Sequence, residues 1–195
     1  MQRRSDHYTK KAKAAGYPAR SVFKLEEIQR RFTVLSKGMR VLDIGSSPGS
    51  WSLYAAEVIG PGGRIVAVDL QDEYVEVKGP SYEFLRGDIH DAATREAIAS
   101  KGPFDCVLSD AAPATTGNRT VDSSRSAAIA ETVIALCDLV LRPGGNLVVK
   151  VFQGADQQQI LDSVRERFEH ARQFKPPASR KESFEVFCIG TGRHR

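Results

Sequence analysis

Residues 41 to 51 read Val41-Leu-Asp-Ile-Gly45-Ser-Ser-Pro-Gly49-Ser-Trp51. A short apolar run that ends in glycine has the composition of a parallel strand buried on both faces. A proline just ahead of a helix start is tolerated, because the N–H it lacks would have no intrahelical partner. Strand, small-residue turn and helix start together form the opening unit of an α/β domain. Gly45 and Gly49 remove side chains where a ligand would approach main-chain N–H groups at a helix N-terminus, the place where such domains hold a nucleotide-like cofactor.

The alternation continues along the chain. Strands are expected at 39–44, 64–69, 82–85, 104–110 and 146–152, followed by a hairpin-like pair at 171–174 and 184–189. Between them lie helices at 51–59, 92–100, from Asp122 or Ser123 to 141, and at 155–168, the third of these stopped by Arg142-Pro-Gly-Gly145. An earlier helix, capped by Ser21, carries Val22, Leu25, Ile28 and Phe32 as an apolar stripe with Lys24 beside it. The expected fold is a single α/β domain over 1–195: a doubly wound, mostly parallel seven-stranded sheet with an antiparallel last strand and helices on both faces.

Charge is distributed unevenly. The chain carries a net +4, but residues 1–40 hold 11 Lys/Arg against 3 Asp/Glu, residues 41–170 hold 11 against 19, and residues 171–195 hold 6 against 2. If the two basic ends meet on one face, they form a surface able to neutralise several phosphates. Residues 1–20 read as a basic arm, with Tyr8 and Tyr17 among lysines and arginines, that becomes ordered on a nucleic acid. No apolar stretch reads as a signal peptide or membrane helix, so the expected compartment is the cytoplasm and the Asn118-Arg-Thr120 sequon is expected to stay bare. Cys106, Cys137 and Cys188 lie in apolar runs without metal-ligand spacing, which points to buried thiols, no disulfide and no metal.

Three aspartates stand at the expected carboxyl ends of strands: Asp69, Asp88 and Asp110. Asp69 follows Gly45 at close to the spacing, about 20 residues, at which an acid meets ribose hydroxyls. A carboxylate there accepts two hydrogen bonds from a diol and repels a 2′-phosphate, and Asp88 is placed to accept from the exocyclic amine of a base. The pyrophosphate fingerprint G-x-G-x-x-G and the Walker lysine are both absent, which favours a nucleoside cofactor without phosphates.

Lys150 interrupts Leu147-Val-Val-Lys-Val-Phe152, a strand that must be central. A lysine there needs an acidic partner or must be neutral, since desolvation penalises its charge. Asp110 and Glu185 are the available acids, and Lys24 is a second cation. Such a cluster suits removal of a proton from a weakly acidic hydroxyl, with one amine as base and the others holding it.

These residues bring a resemblance into view. Tyr17-Pro-Ala-Arg-Ser-Val-Phe-Lys24-Leu, Leu42-Asp-Ile-Gly-Ser-Ser-Pro-Gly-Ser-Trp51-Ser, Val68-Asp69-Leu, Gly87-Asp88, Ser109-Asp110-Ala-Ala-Pro113, Val149-Lys150-Val-Phe and Ser179-Arg-Lys-Glu-Ser-Phe-Glu185-Val-Phe occur in this order. The chain thereby resembles the FtsJ/RrmJ family of S-adenosylmethionine-dependent ribose 2′-O-methyltransferases, particularly its short bacterial type acting on 23S ribosomal RNA. The resemblance implies that Lys24, Asp110, Lys150 and Glu185 are a catalytic K-D-K-E tetrad with Lys150 as proton acceptor; Glu182 competes with Glu185 for the last place. It implies that Gly45, Gly49, Trp51, Asp69, Asp88 and Asp110 line a site for S-adenosyl-L-methionine, released as S-adenosyl-L-homocysteine. It also implies a monomer acting on RNA of the large ribosomal subunit. A transfer RNA substrate, another class of methyl acceptor or a non-catalytic assembly factor are the competing readings. Ser46, Ser47 and Ser50 depart from the family's usual Ala-Ala and Gly.

Overall fold

The computed structural model describes residues 3–72, 75–180 and 182–195. Met1 and Gln2 of the basic arm and Lys181 of the last motif lie outside these. In chain order the elements are α1 (Arg3–Ala14), α2 (Val22–Phe32), β1 (Arg40–Ile44), α3 (Ser50–Ile59), β2 (Arg64–Asp69), β3 (Ser81–Arg86) and α4 (Ala92–Ala99). They continue with β4 (Phe104–Ser109), α5 (Arg119–Val140), β5 (Leu141–Phe152), α6 (Gln157–Arg167), β6 (Phe168–Phe174) and β7 (Glu185–Arg193).

The seven strands form one sheet in the order β3-β2-β1-β4-β5-β7-β6. Pairing is parallel from β3 through β5, and β7 runs antiparallel between β5 and β6. Strand order reverses between β1 and β4, so the crevice for a ligand opens beyond the carboxyl ends of these two strands.

Each strand sends alternate side chains to opposite faces. On one face Leu42, Val107, Leu147, Val149, Val186 and Cys188 pack with α5 and α6. On the other, Val41, Leu108, Val148, Phe187 and Ile189 pack with Leu25 and Ile28 of α2 and Ala55 and Ile59 of α3. Lys150 shares the parity of Val148, and Glu185 that of Phe187, so both charged residues project to the α2/α3 side. The three cysteines are buried and free. Burial pushes the Cys188 thiol up to about 11 and the Cys137 thiol up to about 12, which keeps both protonated and unreactive at neutral pH.

Several elements differ from the sequence expectation; strands β5 and β6 begin at Leu141 and Phe168, ahead of the expected 146 and 171. The basic arm folds into α1, whose Ala12 is buried with Val22, Phe23 and Ala178, with Tyr8 and Tyr17 packed alongside. Helix α5 starts at Arg119 because the Asn118 side chain, not that of Asp122 or Ser123, accepts from the N–H groups of Thr120 and Val121. Strand β7 runs on to Arg193, since Gly190 has no side chain and so admits the Phe168 ring, against which a Cβ would lie at 2.6 Å.

Candidate active site

Two cavities of about 370 Å³ each open at the carboxyl ends of the strands. Gly45, Asp69, Asp88 and Asp110 line the first, together with Leu70 and Ala111. Asp69 is fixed by its main-chain surroundings: Oδ2 accepts from the N–H of Ser47 at 3.0 Å and Oδ1 from the N–H of Gln71 at 2.8 Å. That leaves a lone pair on each oxygen for a diol. Asp88 Oδ1 accepts from the His90 N–H at 2.9 Å. Leu70 is 62% exposed at the mouth, and a flat base would cover this large apolar side chain. Cavity volume, a fixed carboxylate at the end of β2 and apolar walls from Leu70, Ile89 and Ile129 fit an adenosine with free ribose hydroxyls.

Gly45 has φ +74°, and a Cβ on it would lie 2.6 Å from both Cα and N of Ala111. The absent side chain therefore makes room for the loop after β4, in addition to leaving the cavity open. Gly49 (φ +97°) precedes α3 and donates to the Ser46 carbonyl.

Gly49 and Trp51 are not among the residues lining this cavity. Trp51 is 2% exposed, its indole donates to the Ser21 carbonyl at 3.0 Å, and its ring packs on Phe187. Neighbouring Ser50 accepts from the Ala19 N–H at 2.8 Å and donates to the Ala19 carbonyl at 3.2 Å. Ser52 donates to buried Asp43 at 2.7 Å. Side chains at the first turn of α3 thus anchor the turn to β1 and clasp the segment 19–21 that leads into Lys24.

The four tetrad residues form two ion pairs on the α2/α3 side of the sheet. Lys150 Nζ lies 3.0 Å from Asp110 Oδ1 and also donates to the Asp110 carbonyl. Lys24 Nζ lies 2.6 Å from Glu185 Oε1 and sits 5.9 Å from the centre of the Phe187 ring. Lys150 and Phe187 are direct partners across β5 and β7, with Glu185 two residues away along β7, so the two pairs flank one aromatic ring. All four side chains are at most 16% exposed. Removing one member of such a pair strands the other's charge at a cost of about 3–5 kcal/mol. Glu185 thus binds Lys24, while Asp110 holds Lys150; Glu182 is exposed.

Arg20, Lys24 and Arg180 line the second cavity with Glu182, Phe184 and Glu185. Two of these basic residues come from the amino-terminal region and one from the carboxyl-terminal region, as the charge pattern anticipated. The Arg20 guanidinium packs over Tyr8 and donates to the Ala178 carbonyl at 2.6 Å. Ala178 N–H in turn donates to Glu27 Oε2 at 3.0 Å, which ties the β6–β7 loop to α2.

Sequence reasoning passed over Leu70, Ile89, His90 and Ile129 as cavity residues. Leu70 and His90 closely follow strand-end aspartates, a position that could have flagged them. Ile129 lies within α5 and carries no local signal. Among the described residues no helix is long and apolar enough to cross a membrane, and no cluster of potential metal ligands occurs.

Solved structures share this architecture. One described as a ribosomal RNA methyltransferase from Plasmodium falciparum has a TM-score of 0.77 at 21% identity, covering 91% of this chain and 98% of that one. Fibrillarin from Aeropyrum pernix, with natively bound S-adenosyl-L-methionine, gives 0.62 at 14% identity, covering 88% and 76%. These likenesses concern the fold. In sequence, the ribosomal RNA large subunit methyltransferase E of Nitratidesulfovibrio vulgaris is 47% identical over 97% of this chain and 96% of its own length. The protein of that name from Treponema denticola is 45% identical over 95% and 93%. Residues 17–193 match the model of the FtsJ-like methyltransferases, a span that includes both ion pairs and the aspartate-lined cavity, and the chain belongs to that family.

Proposed function

We infer that the protein is an S-adenosylmethionine-dependent methyltransferase that methylates a ribose 2′-hydroxyl of RNA, specifically a uridine of 23S ribosomal RNA in the large subunit. The observation that carries this reading is the pairing of buried Lys150 with Asp110, a residue of the aspartate-lined cavity, beside a Lys24–Glu185 pair that lines a basic one. Asp110 lines the first cavity, while Lys24 and Glu185 line the second. Relatives named for the large-subunit RNA support the substrate, and the family supports the cofactor.

When bound, S-adenosylmethionine supplies an electrophilic methyl group on a sulfonium and leaves as S-adenosylhomocysteine. Asp69 holds the ribose hydroxyls, Asp88 and Leu70 the base. Gly49 and Trp51 act indirectly, Gly49 by shaping the turn ahead of α3 and Trp51 by holding the Ser21 carbonyl beside Lys24.

Of the three directions around Lys150 Nζ, two are taken by Asp110 and one is left for the target hydroxyl. A ribose hydroxyl ionises too little at neutral pH to attack unaided, so Lys150 takes its proton as the oxygen bonds to the methyl carbon. A lysine acts as base only in its amine form, and the ammonium that results is the partner of Asp110 in the ion pair described above. Lys24, held by Glu185, presents positive charge to the oxygen as it loses its proton. Arg20 and Arg180 take the RNA backbone. The protein acts as a monomer of one domain in the cytoplasm.

The test is methyl transfer from labelled S-adenosylmethionine to purified large subunits, free 23S RNA, transfer RNA and protein. Label in a 2′-O-methyl uridine of 23S RNA supports the reading. Label confined to transfer RNA overturns the substrate, and RNA binding with no transfer to any acceptor overturns the enzyme.

A further inference from the structure

A third cavity, of about 400 Å³, lies beside the tetrad and has no part in the chemistry above. It is lined by Arg119, Thr120, Ser123, Ser124, Gln153 and Gly154, with Ala155. Its wall is shared with the catalytic side. The Arg119 guanidinium lies over the Phe184 ring at 5.3 Å, Phe184 precedes Glu185 and lines the second cavity, and the Phe184 carbonyl accepts from the Gln153 N–H at 2.7 Å. Phe184 is itself propped edge-on against Phe152 at 4.6 Å. The Arg119–Phe184 cation–ring pair therefore stands between two cavities, one residue along the chain from the tetrad.

The polar groups of this cavity divide sharply. Asn118 already accepts from the N–H groups of Thr120 and Val121, so the end of α5 offers little by itself. Ser123 donates to the Thr120 carbonyl, and Ser124 donates to Asp156. Arg119, by contrast, has no acidic partner and no side-chain hydrogen bond among the described residues, and its guanidinium lies over the ring. The Gln153 side chain likewise has no hydrogen-bond partner among them. A cation–ring contact restrains a guanidinium while leaving its N–H groups free, an arrangement suited to a phosphate. Gly154 keeps the floor low, since a Cβ on it would lie 2.4 Å from Ser123 Oγ.

We propose that Arg119, restrained by its cation–ring contact with Phe184 and assisted by Gln153, binds a backbone phosphate of the RNA strand next to the target nucleotide, on the other side of Phe184 from Arg20 and Arg180. This rests on the reading of the protein as an RNA 2′-O-methyltransferase. The strand then has two grips, one on each side of Phe184, and the target ribose lies between them. Arg119 and Phe184 lie 65 positions apart, and although Phe184 belongs to the 179–187 motif, nothing local in the sequence links it to Arg119.

The test is equilibrium binding of a single-stranded 23S RNA fragment over a series of salt concentrations, which does not require turnover. Arg119→Ala is expected to weaken binding about fivefold near physiological salt and to flatten the slope of log affinity against log salt by about 0.7, the value for one phosphate of a single strand. Arg119→Lys is expected to keep the slope and to bind with intermediate affinity, because an ammonium is a point charge without the guanidinium's fork of donors. S-adenosylmethionine affinity is expected to be unchanged in both. Arg165→Ala, which removes an equal charge from the last turn of α6, is the control and is expected to bind like wild type. Wild-type affinity and slope in Arg119→Ala would overturn the proposal while leaving the methyl-transfer reading intact. A flattened slope in a protein that transfers no methyl group would support the subsite and overturn the enzyme.

Discussion

Lysine and arginine carry the same charge at position 150, but only lysine can give up its proton in a protein. Lys150→Arg therefore separates a general base from a fixed cation. Both Lys150→Arg and Lys150→Ala are expected to lose methyl transfer by about 100-fold or more, with S-adenosylmethionine binding within about twofold of wild type by calorimetry. Substantial activity in Lys150→Arg would assign the residue a purely electrostatic role. Gly45 offers a second test. Its φ of +74° and the 2.6 Å approach to the Ala111 main chain make Gly45→Ala costly by about 1–3 kcal/mol or more. Urea unfolding and cofactor binding are expected to suffer together, because the displaced loop lines the cofactor cavity. At this scale the sequence shows which residues carry charge into a core, but not what they meet. Trp51 sits within the glycine motif, yet its indole serves the Lys24 segment. No pattern in eleven residues distinguishes a ring facing the ligand from one facing the neighbouring helix.

Elements were read correctly wherever periodicity and turn residues agreed. All seven strands and the core helices were legible, because alternating apolar runs and Gly/Pro turns are local. Helix α1 was not, since its contact with α2 and Ala178 is made across the fold and its own sequence is strongly polar. The start of α5 was misplaced because Asn118, Asp122 and Ser123 are all good caps. Asp122 has a different task. It is 2% exposed and accepts from Thr116 N–H and Oγ at 2.8 Å each and from Gly117 N–H at 3.2 Å. These bonds hold its carboxyl below the usual carboxylate value of about 3.9. A depressed folded-state value contributes stability that is present above the unfolded value and is lost as pH falls through the folded one. Asp122→Asn is therefore expected to lower the melting temperature at neutral pH, with the gap from wild type closing as pH falls below about 4. A gap that stays constant across this range would show that the charge on Asp122 does not hold the loop.

Across the whole molecule, charge and chain topology act together. Basic amino- and carboxyl-terminal regions enclose an acidic middle, and folding brings Arg20 and Arg180 to one cavity while Asp69, Asp88 and Asp110 face another. The aspartates were legible from spacing because a parallel sheet puts consecutive strand ends along one edge. The division of four tetrad residues into Lys24–Glu185 and Lys150–Asp110 was not, since it depends on β7 inserting beside β5 and on α2 crossing that face. The central claim is that Lys150 deprotonates a 23S ribose hydroxyl. Its most direct test maps 2′-O-methyl positions on ribosomal RNA from cells lacking the gene, complemented with wild type or with Lys150→Arg. The expected result is one 23S uridine that loses its methyl group without the gene, regains it with wild type and stays bare with Lys150→Arg. Full methylation of that uridine by Lys150→Arg, or no ribosomal position that depends on the gene, would contradict it.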